Sequence, residues 1–333
     1  MNKTKIAIIV ASVLIAIVAL SLVAINIFEP TGYVVKRQKS LERIDFLIDW
    51  THTPDYVAYY VAKEKGFFEE QGFDVNIIEG SGGSDAAKLL SSGKYDIGTT
   101  TASSLNIINS KGGNIKSVAA IYQKTPTAIL SLSKSGIRKP TDLYGKRLGY
   151  NPSSMTAQEY AAFAEKLNLD RSRIDELQIG WGKEELIAGK IDARVDWITD
   201  VYVDAKTEGF ELNVIWLPDY GFEEYGEVIA VNKEYMIQNP EKVKRMTKAI
   251  IKGWEYTLDN KDEATIVFTQ LFPEINKQFT RNALDEIDKL TGTGGLGYQE
   301  KNVWFATQEM LYGQGMIDHK VSLDSLYTNE FLS

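Results

Sequence analysis

The chain has 333 residues, enough for two domains of ordinary size, with 37 Lys/Arg against 45 Asp/Glu and no cysteine. The missing cysteine excludes disulfides, iron–sulfur clusters, thiolate zinc sites and a lipid-modified cysteine anchor. The first 39 residues hold five Lys/Arg and one Glu, leaving 32 basic and 44 acidic residues, net −12, in the remainder; that balance lacks the electrostatic footprint of a nucleic-acid binder.

The chain opens with Met1-Asn2-Lys3-Thr4-Lys5 and an apolar run from Ile6 to Phe28, interrupted only by Ser12, Ser21 and Asn26. About 20 apolar residues span a bilayer, whereas a cleaved signal has an apolar region of roughly 7–15. The run therefore favours an uncleaved membrane anchor over residues 1–28, with 29–43 as linker. A cleavable signal is the alternative, because Ala19-Leu20-Ser21 offers small residues at a suitable spacing.

Residues 44–79 read as a βαβ unit. A strand from Ile44 to Ile48 enters a polar turn, a helix follows and ends near Gly66, and an alternating strand runs from Phe73 to Ile78. The turn gathers Asp49, Trp50, Thr51, His52, Thr53, Asp55 and Tyr56. Ligands of open α/β sheets bind beyond the carboxyl ends of strands, so this turn is the first candidate site.

Strand and helix signals then alternate. Gly80 to Asp85 opens a helix whose free N–H groups, around Gly82 and Ser84, suit a polar ligand group; the glycine spacing fits no nucleotide loop. A strand ends at Gly98 and the hydroxyl-rich stretch Thr99 to Ser104, with Thr100 and Thr101, starts another helix. Two apolar strands follow at 115–133, with Tyr122-Gln123-Lys124 at their turn. Asn151 to Thr156, including Ser153 and Ser154, begins an amphipathic helix, and Thr156 with Glu159 has capping-box spacing. A strand from Ile191 ends at Trp197, with Thr199, Asp200 and Tyr202 beyond it. Trp197 is equally a core candidate and a site candidate. Tyr225 and Glu227 precede a returning strand, and Asn239-Pro240 caps a long amphipathic helix.

Several segments carry a resemblance in a specific order: Asp49-Trp50-Thr51, Tyr60-Val61-Ala62, Gly66-Phe67-Phe68, Gly72-Phe73-Asp74-Val75, Leu143-Tyr144-Gly145-Lys146, Asp219-Tyr220-Gly221, Asn239-Pro240-Glu241 and Leu326 to Leu332. Over residues 44–332 the chain resembles solute-binding proteins of the nitrate/sulfonate/taurine type, closest to the branch that binds thiamine-pyrimidine precursors. The resemblance implies a two-lobed α/β fold of the type II periplasmic-binding (venus-flytrap) class. It places one lobe at 44–128 and 230–333 and the other at 129–229, with no enzymatic activity and no cofactor. An ABC permease with its ATPase would be the partner, and the N-terminal segment the link to the membrane. A membrane-tethered sensor is the alternative role. Some family members instead build the pyrimidine, using a cysteine-rich motif that this chain lacks.

The ligand loops at 49–55, 80–85, 99–104 and 151–156 contain no Arg or Lys. That disfavours nitrate or sulfonate and suits a heteroaromatic with amino groups, stacked on aromatic faces and donating to carboxylates. The candidate ligand residues are Asp49, Trp50, His52, Asp55, Tyr56, Gly82, Ser84, Thr100, Thr101, Tyr122, Ser153, Ser154, Trp197, Tyr202, Tyr225 and Glu227. Where the precursor-binding branch has N-x-N-H, this chain has Thr53-Pro54-Asp55-Tyr56. With only His52 and His319 present, no histidine-rich metal site is expected.

Overall fold

The computed structural model describes residues 40–152, 154–292 and 295–332. The expected anchor at 1–28, most of the linker and Ser153 lie outside those residues. Among the described residues no helix is long and apolar enough to cross a membrane.

The opening unit forms as its pattern dictates. Strand β1 (Glu42–Leu47) pairs in parallel with β2 (Phe73–Ile78), and helix α1 (Val57–Glu64) connects them. Gly66 and Gly72 both adopt the left-handed conformation that turns the chain from helix to strand. Strands β3 (Ile97–Thr100) and β4 (Ile115–Tyr122) follow, each preceded by a helix: α2 (Gly83–Ser91) and α3 (Ala102–Ser110). The chain then enters a second sheet through β5 (Thr127–Leu132), β6 (Arg147–Tyr150), β7 (Asp175–Gln178), β8 (Ala193–Trp197) and β9 (Leu212–Trp216). It returns to the first sheet as β10 (Glu227–Asn232).

The sheet orders are β2-β1-β3-β10-β4 and β7-β6-β8-β5-β9. In each, one strand supplied from across the molecule runs antiparallel to its neighbours: β10 in the first sheet and β5 in the second. Consequently β10 begins where β3 ends, with Val228 opposite Thr100 and Glu227 opposite Tyr122. This brings Val228, 128 positions from Thr100 in sequence, beside the end of β3.

Helix α4 (Met155–Lys166) starts at Ser154 with no side-chain cap. The capping box expected from Thr156 and Glu159 is not made. Glu159 instead points inward and accepts from Thr125 Oγ1 at 3.0 Å, because a tertiary donor outcompetes the local backbone. The long helix α5 (Pro240–Asp259) packs on α1 closely enough that a Cβ on Gly253 would lie 2.6 Å from Ala62 Cβ.

The first sheet has a tighter point. A Cβ on Gly98 would stand 2.3 Å from the Leu47 carbonyl oxygen and 2.9 Å from Leu47 Cβ, in the β1–β3 pair. The obstructing atoms are the Leu47 carbonyl and its Cβ, so no flexible side-chain end can yield. Gly98→Ala is expected to destabilise the fold by at least about 1–3 kcal/mol, read as a lowered melting temperature by calorimetry. An unchanged melting point would mean the two strands separate there at no cost.

Candidate functional site

Three carboxylates converge where β1 and β3 end and β10 begins, and each faces a tyrosine. Asp49, just after β1, accepts from Tyr56 Oη at 2.9 Å and from Thr99 Oγ1 at 2.5 Å. Thr99 Oγ1 in turn accepts from the Asp49 backbone N–H at 2.8 Å. Asp55, in the turn Pro54–Tyr56, accepts from Tyr122 Oη at 2.9 Å and Thr53 Oγ1 at 3.2 Å. Glu227 accepts from Tyr59 Oη at 2.5 Å. Trp254, fully buried on α5, sets its face edge-on to both Tyr59 and Tyr122.

All three acids are at most 5% exposed. Burial pushes Asp49 and Asp55 above the usual carboxylate range, against the hydroxyl donors that pull them down. Glu227 is raised further, first by burial and then by the charges of Asp49 and Asp55. Burial, followed by these same carboxylates, holds the Tyr56, Tyr59 and Tyr122 hydroxyls firmly protonated, so each serves as a donor. The resulting centre is rich in acceptors that repel one another. A group bringing N–H donors or positive charge relieves that repulsion, and an anion aggravates it. Among the described residues no group of three or more His, Cys, Asp or Glu is arranged to hold a metal ion.

The other expected ligand residues divide. Gly82 donates its N–H to Asp49 O at 2.7 Å, and Ser84 beside it is exposed. Thr100 and Thr101 are taken up locally: Thr100 Oγ1 donates to Gly83 O at 2.8 Å, and Thr101 caps α3 by accepting from Ser104 N at 3.1 Å. Ser154 Oγ donates to Asn151 O at 2.8 Å. His52 stacks on Phe272 at 4.3 Å, meets Tyr60 Oη at 2.5 Å and lies 3.3 Å from Glu79. Tyr225 is buried against Trp304, and its Oη accepts from Glu300 N at 2.6 Å. Trp197 and Tyr202 are half-buried in the second-sheet region, with Lys206 over the Tyr202 ring. Lys124 lies 5.0 Å over the Trp216 ring.

Sequence reasoning missed three participants. Tyr59 looks like an ordinary helix residue until Glu227 arrives beside it. Trp181 meets Trp50 with ring centroids 5.6 Å apart; its Gly180 and Gly182 neighbours, just after a strand, were the available signal. Glu224, near the return into β10, accepts from the Ser103 backbone N–H at 3.1 Å and from its hydroxyl at the start of α3. Its other carboxylate oxygen has no partner, and Glu159 is the neighbouring charge.

Two mixed five-stranded sheets joined by two crossings define a two-sheet α/β periplasmic-binding-protein fold. The chain belongs to the NMT1/THI5-like family, which it matches over residues 53–264. It is 27% identical to the riboflavin-binding protein RibY of Chloroflexus aurantiacus, over 89% of this chain and 87% of that one. It is 23% identical to the formylaminopyrimidine-binding protein of Halalkalibacterium halodurans, over 87% and 91%. A Saccharomyces cerevisiae 4-amino-5-hydroxymethyl-2-methylpyrimidine phosphate synthase, THI5, is 28% identical over 72% and 74%. In three dimensions the Escherichia coli periplasmic aliphatic sulphonate binding protein SsuA superposes with a TM-score of 0.73 at 15% identity, over 88% and 100%. That last likeness is one of fold.

Proposed function

We propose that this chain is the extracytoplasmic solute-binding component of an ABC importer, capturing a small heteroaromatic with amino groups such as a thiamine pyrimidine precursor. The observation that carries this reading is the buried trio Asp49, Asp55 and Glu227, each fixed by a tyrosine donor. Ring amino groups satisfy such acceptors, and charge-assisted hydrogen bonds of this kind are the strong ones. The relative named for formylaminopyrimidine supports the same ligand class. In this reading residues 44–128 with 230–333 form one lobe and 129–229 the other, closing about the two crossings when ligand binds. The N-terminal segment tethers the protein to the cell membrane, and a permease with its ATPase receives the solute. We read the chain as a binder, not an enzyme.

The test is a thermal-shift and calorimetric comparison on the full chain, using 4-amino-5-hydroxymethyl-2-methylpyrimidine, riboflavin, taurine and nitrate. A ligand at 100 times its Kd adds about 2.7 kcal/mol to stability. The pyrimidine is expected to stabilise and the anions to do nothing. Micromolar taurine or nitrate binding without pyrimidine binding would overturn the reading; riboflavin binding alone would move it to a larger ring system.

Trp50 is the expected aromatic wall. It is 37% exposed beside buried Asp49, so it contributes little to the core. Trp50→Ala should lose the pyrimidine about tenfold, near the upper end of what one aromatic contact supplies, while the unliganded melting temperature barely moves. A large drop in melting temperature with intact binding would make Trp50 a packing residue.

A further inference from the structure

The two most exposed tryptophans touch each other. Trp50 is 37% and Trp181 58% exposed, and their ring centroids are 5.6 Å apart with the planes inclined by 49°. They come from different sheets. Trp50 follows β1 of the first, and Trp181 follows β7, an edge strand of the second. Both therefore lie beyond the carboxyl ends of parallel strands, where the two sheets' ligand loops belong.

Each backbone is held within its own sheet region. The carbonyl of Trp50 accepts from Gly80 N at 3.2 Å, and that of Asp49 accepts from Gly82 N at 2.7 Å. A Cβ on Gly80 would lie 2.6 Å from Ile48 O, so the two loops are in close contact. Beside Trp181, the Gly180 carbonyl accepts from buried Arg194 Nη2 at 3.1 Å, and Lys183 pairs with Asp204 and Glu208. Each indole is fastened to its own sheet, so the contact between them joins the two.

We propose that Trp181 closes on Trp50 as a clasp across the mouth of the cleft, so that separation of the two indoles admits the solute to the carboxylates behind them. The function of the clasp rests on the cleft being the ligand site, but its opening and closing are properties of the chain alone. Releasing one aromatic contact should favour the open form by about two- to tenfold, without weakening the core, since Trp181 is mostly in solvent.

The native chain has no cysteine, so one introduced thiol reports opening without background. Thr101→Cys places it at a 4% exposed position, whose neighbour Gly83 also lies against Asp49. Ala230→Cys, fully buried within β10, reports opening of the sheet itself. Labelling by N-ethylmaleimide is followed in the full chain without ligand. Adding Trp181→Ala is expected to speed Thr101→Cys labelling about two- to tenfold and leave Ala230→Cys unchanged, with Trp181→Phe between. An unchanged Thr101→Cys rate overturns the clasp, and so does an equal rise at both positions, which would make Trp181 a packing residue. If 4-amino-5-hydroxymethyl-2-methylpyrimidine fails to slow Thr101→Cys labelling while Trp181→Ala still speeds it, the clasp stands and the pyrimidine reading falls.

Discussion

Glu227→Gln is expected to melt higher than the wild-type chain and to bind the pyrimidine roughly 10- to 100-fold more weakly. The two effects share one cause. Glu227 is buried with Asp49 and Asp55 close enough to raise its pKa by their charge, so its ionised form costs the empty protein both desolvation and repulsion. An amide of the same shape removes the charge and keeps an oxygen to accept from Tyr59. What it forfeits is the charge-assisted bond to a ligand amino group, and hydrogen bonds to charged groups contribute about 1.5–3 kcal/mol. Sites that hold destabilising charge in readiness for a ligand commonly trade stability for function in this way. Calorimetry at pH 7.5 on both forms, with and without ligand, decides it. A lower melting point would show that the carboxylate stabilises the empty fold, and an unchanged affinity would remove Glu227 from the site.

The sequence made the scaffold legible where the pattern is local. Residues 44–78 announce a strand, helix and strand through apolar spacing and two glycines, and β1, α1 and β2 form with Gly66 and Gly72 left-handed. The turn after β1 holds two of the three buried carboxylates, Asp49 and Asp55, because strand ends in a parallel sheet leave loops on one side. The pairing inside that turn was not legible. Tyr59 finds Glu227 across 168 positions, and only the antiparallel insertion of β10 beside β3 brings them together. Periodicity carries no information about such a crossing.

The same limit explains the aromatic and hydroxyl residues. The ring against Trp50 is Trp181, which comes from the second sheet and which no local pattern pairs with it. Tyr225 turns to Trp304 because the C-terminal helix Lys301–Gly313 supplies a larger apolar partner and a backbone donor at Glu300. Hydroxyls at a helix start are ambiguous in sequence, since capping and ligand contact require the same residue types. In the folded chain Thr101 caps α3, whereas Thr99, two residues earlier and within β3, fixes Asp49. Lys124, at the turn between β4 and β5, is placed over Trp216.

The fold should become less stable as pH rises from 5.5 to 8, with Glu159 as a principal cause. Burial pushes Glu159 up to about 7, against the donor Thr125. Burial also raises Glu224 well above its ordinary value, and the charge of Glu159 adds to it. The two sit where the chain crosses between sheets: Glu159 holds Thr125 on the outward crossing, and Glu224 on the return crossing holds Ser103. In the unfolded chain a glutamate ionises near 4.3. Above that pH the folded state keeps protons the unfolded state has released, so stability falls as pH climbs towards the folded pKa and then levels off. For Glu159 alone the loss between pH 5.5 and 8 is about 2 kcal/mol, or roughly 4 °C in melting temperature for a chain of this size. The carboxylates lowered by basic partners, Glu176 by Arg171, Asp192 by Arg147 and Asp285 by Arg281, act in the opposite direction. Their stabilisation is complete above the unfolded carboxylate range and is lost only as pH falls below it, outside this window. Glu159→Gln should therefore make the profile between pH 5.5 and 8 shallower while retaining an acceptor for Thr125, the remaining slope coming from groups such as Asp200, which burial also pushes up to about 7. A wild-type melting temperature that rises across that interval, or a Glu159→Gln profile as steep as the native one, would place the buried charge elsewhere.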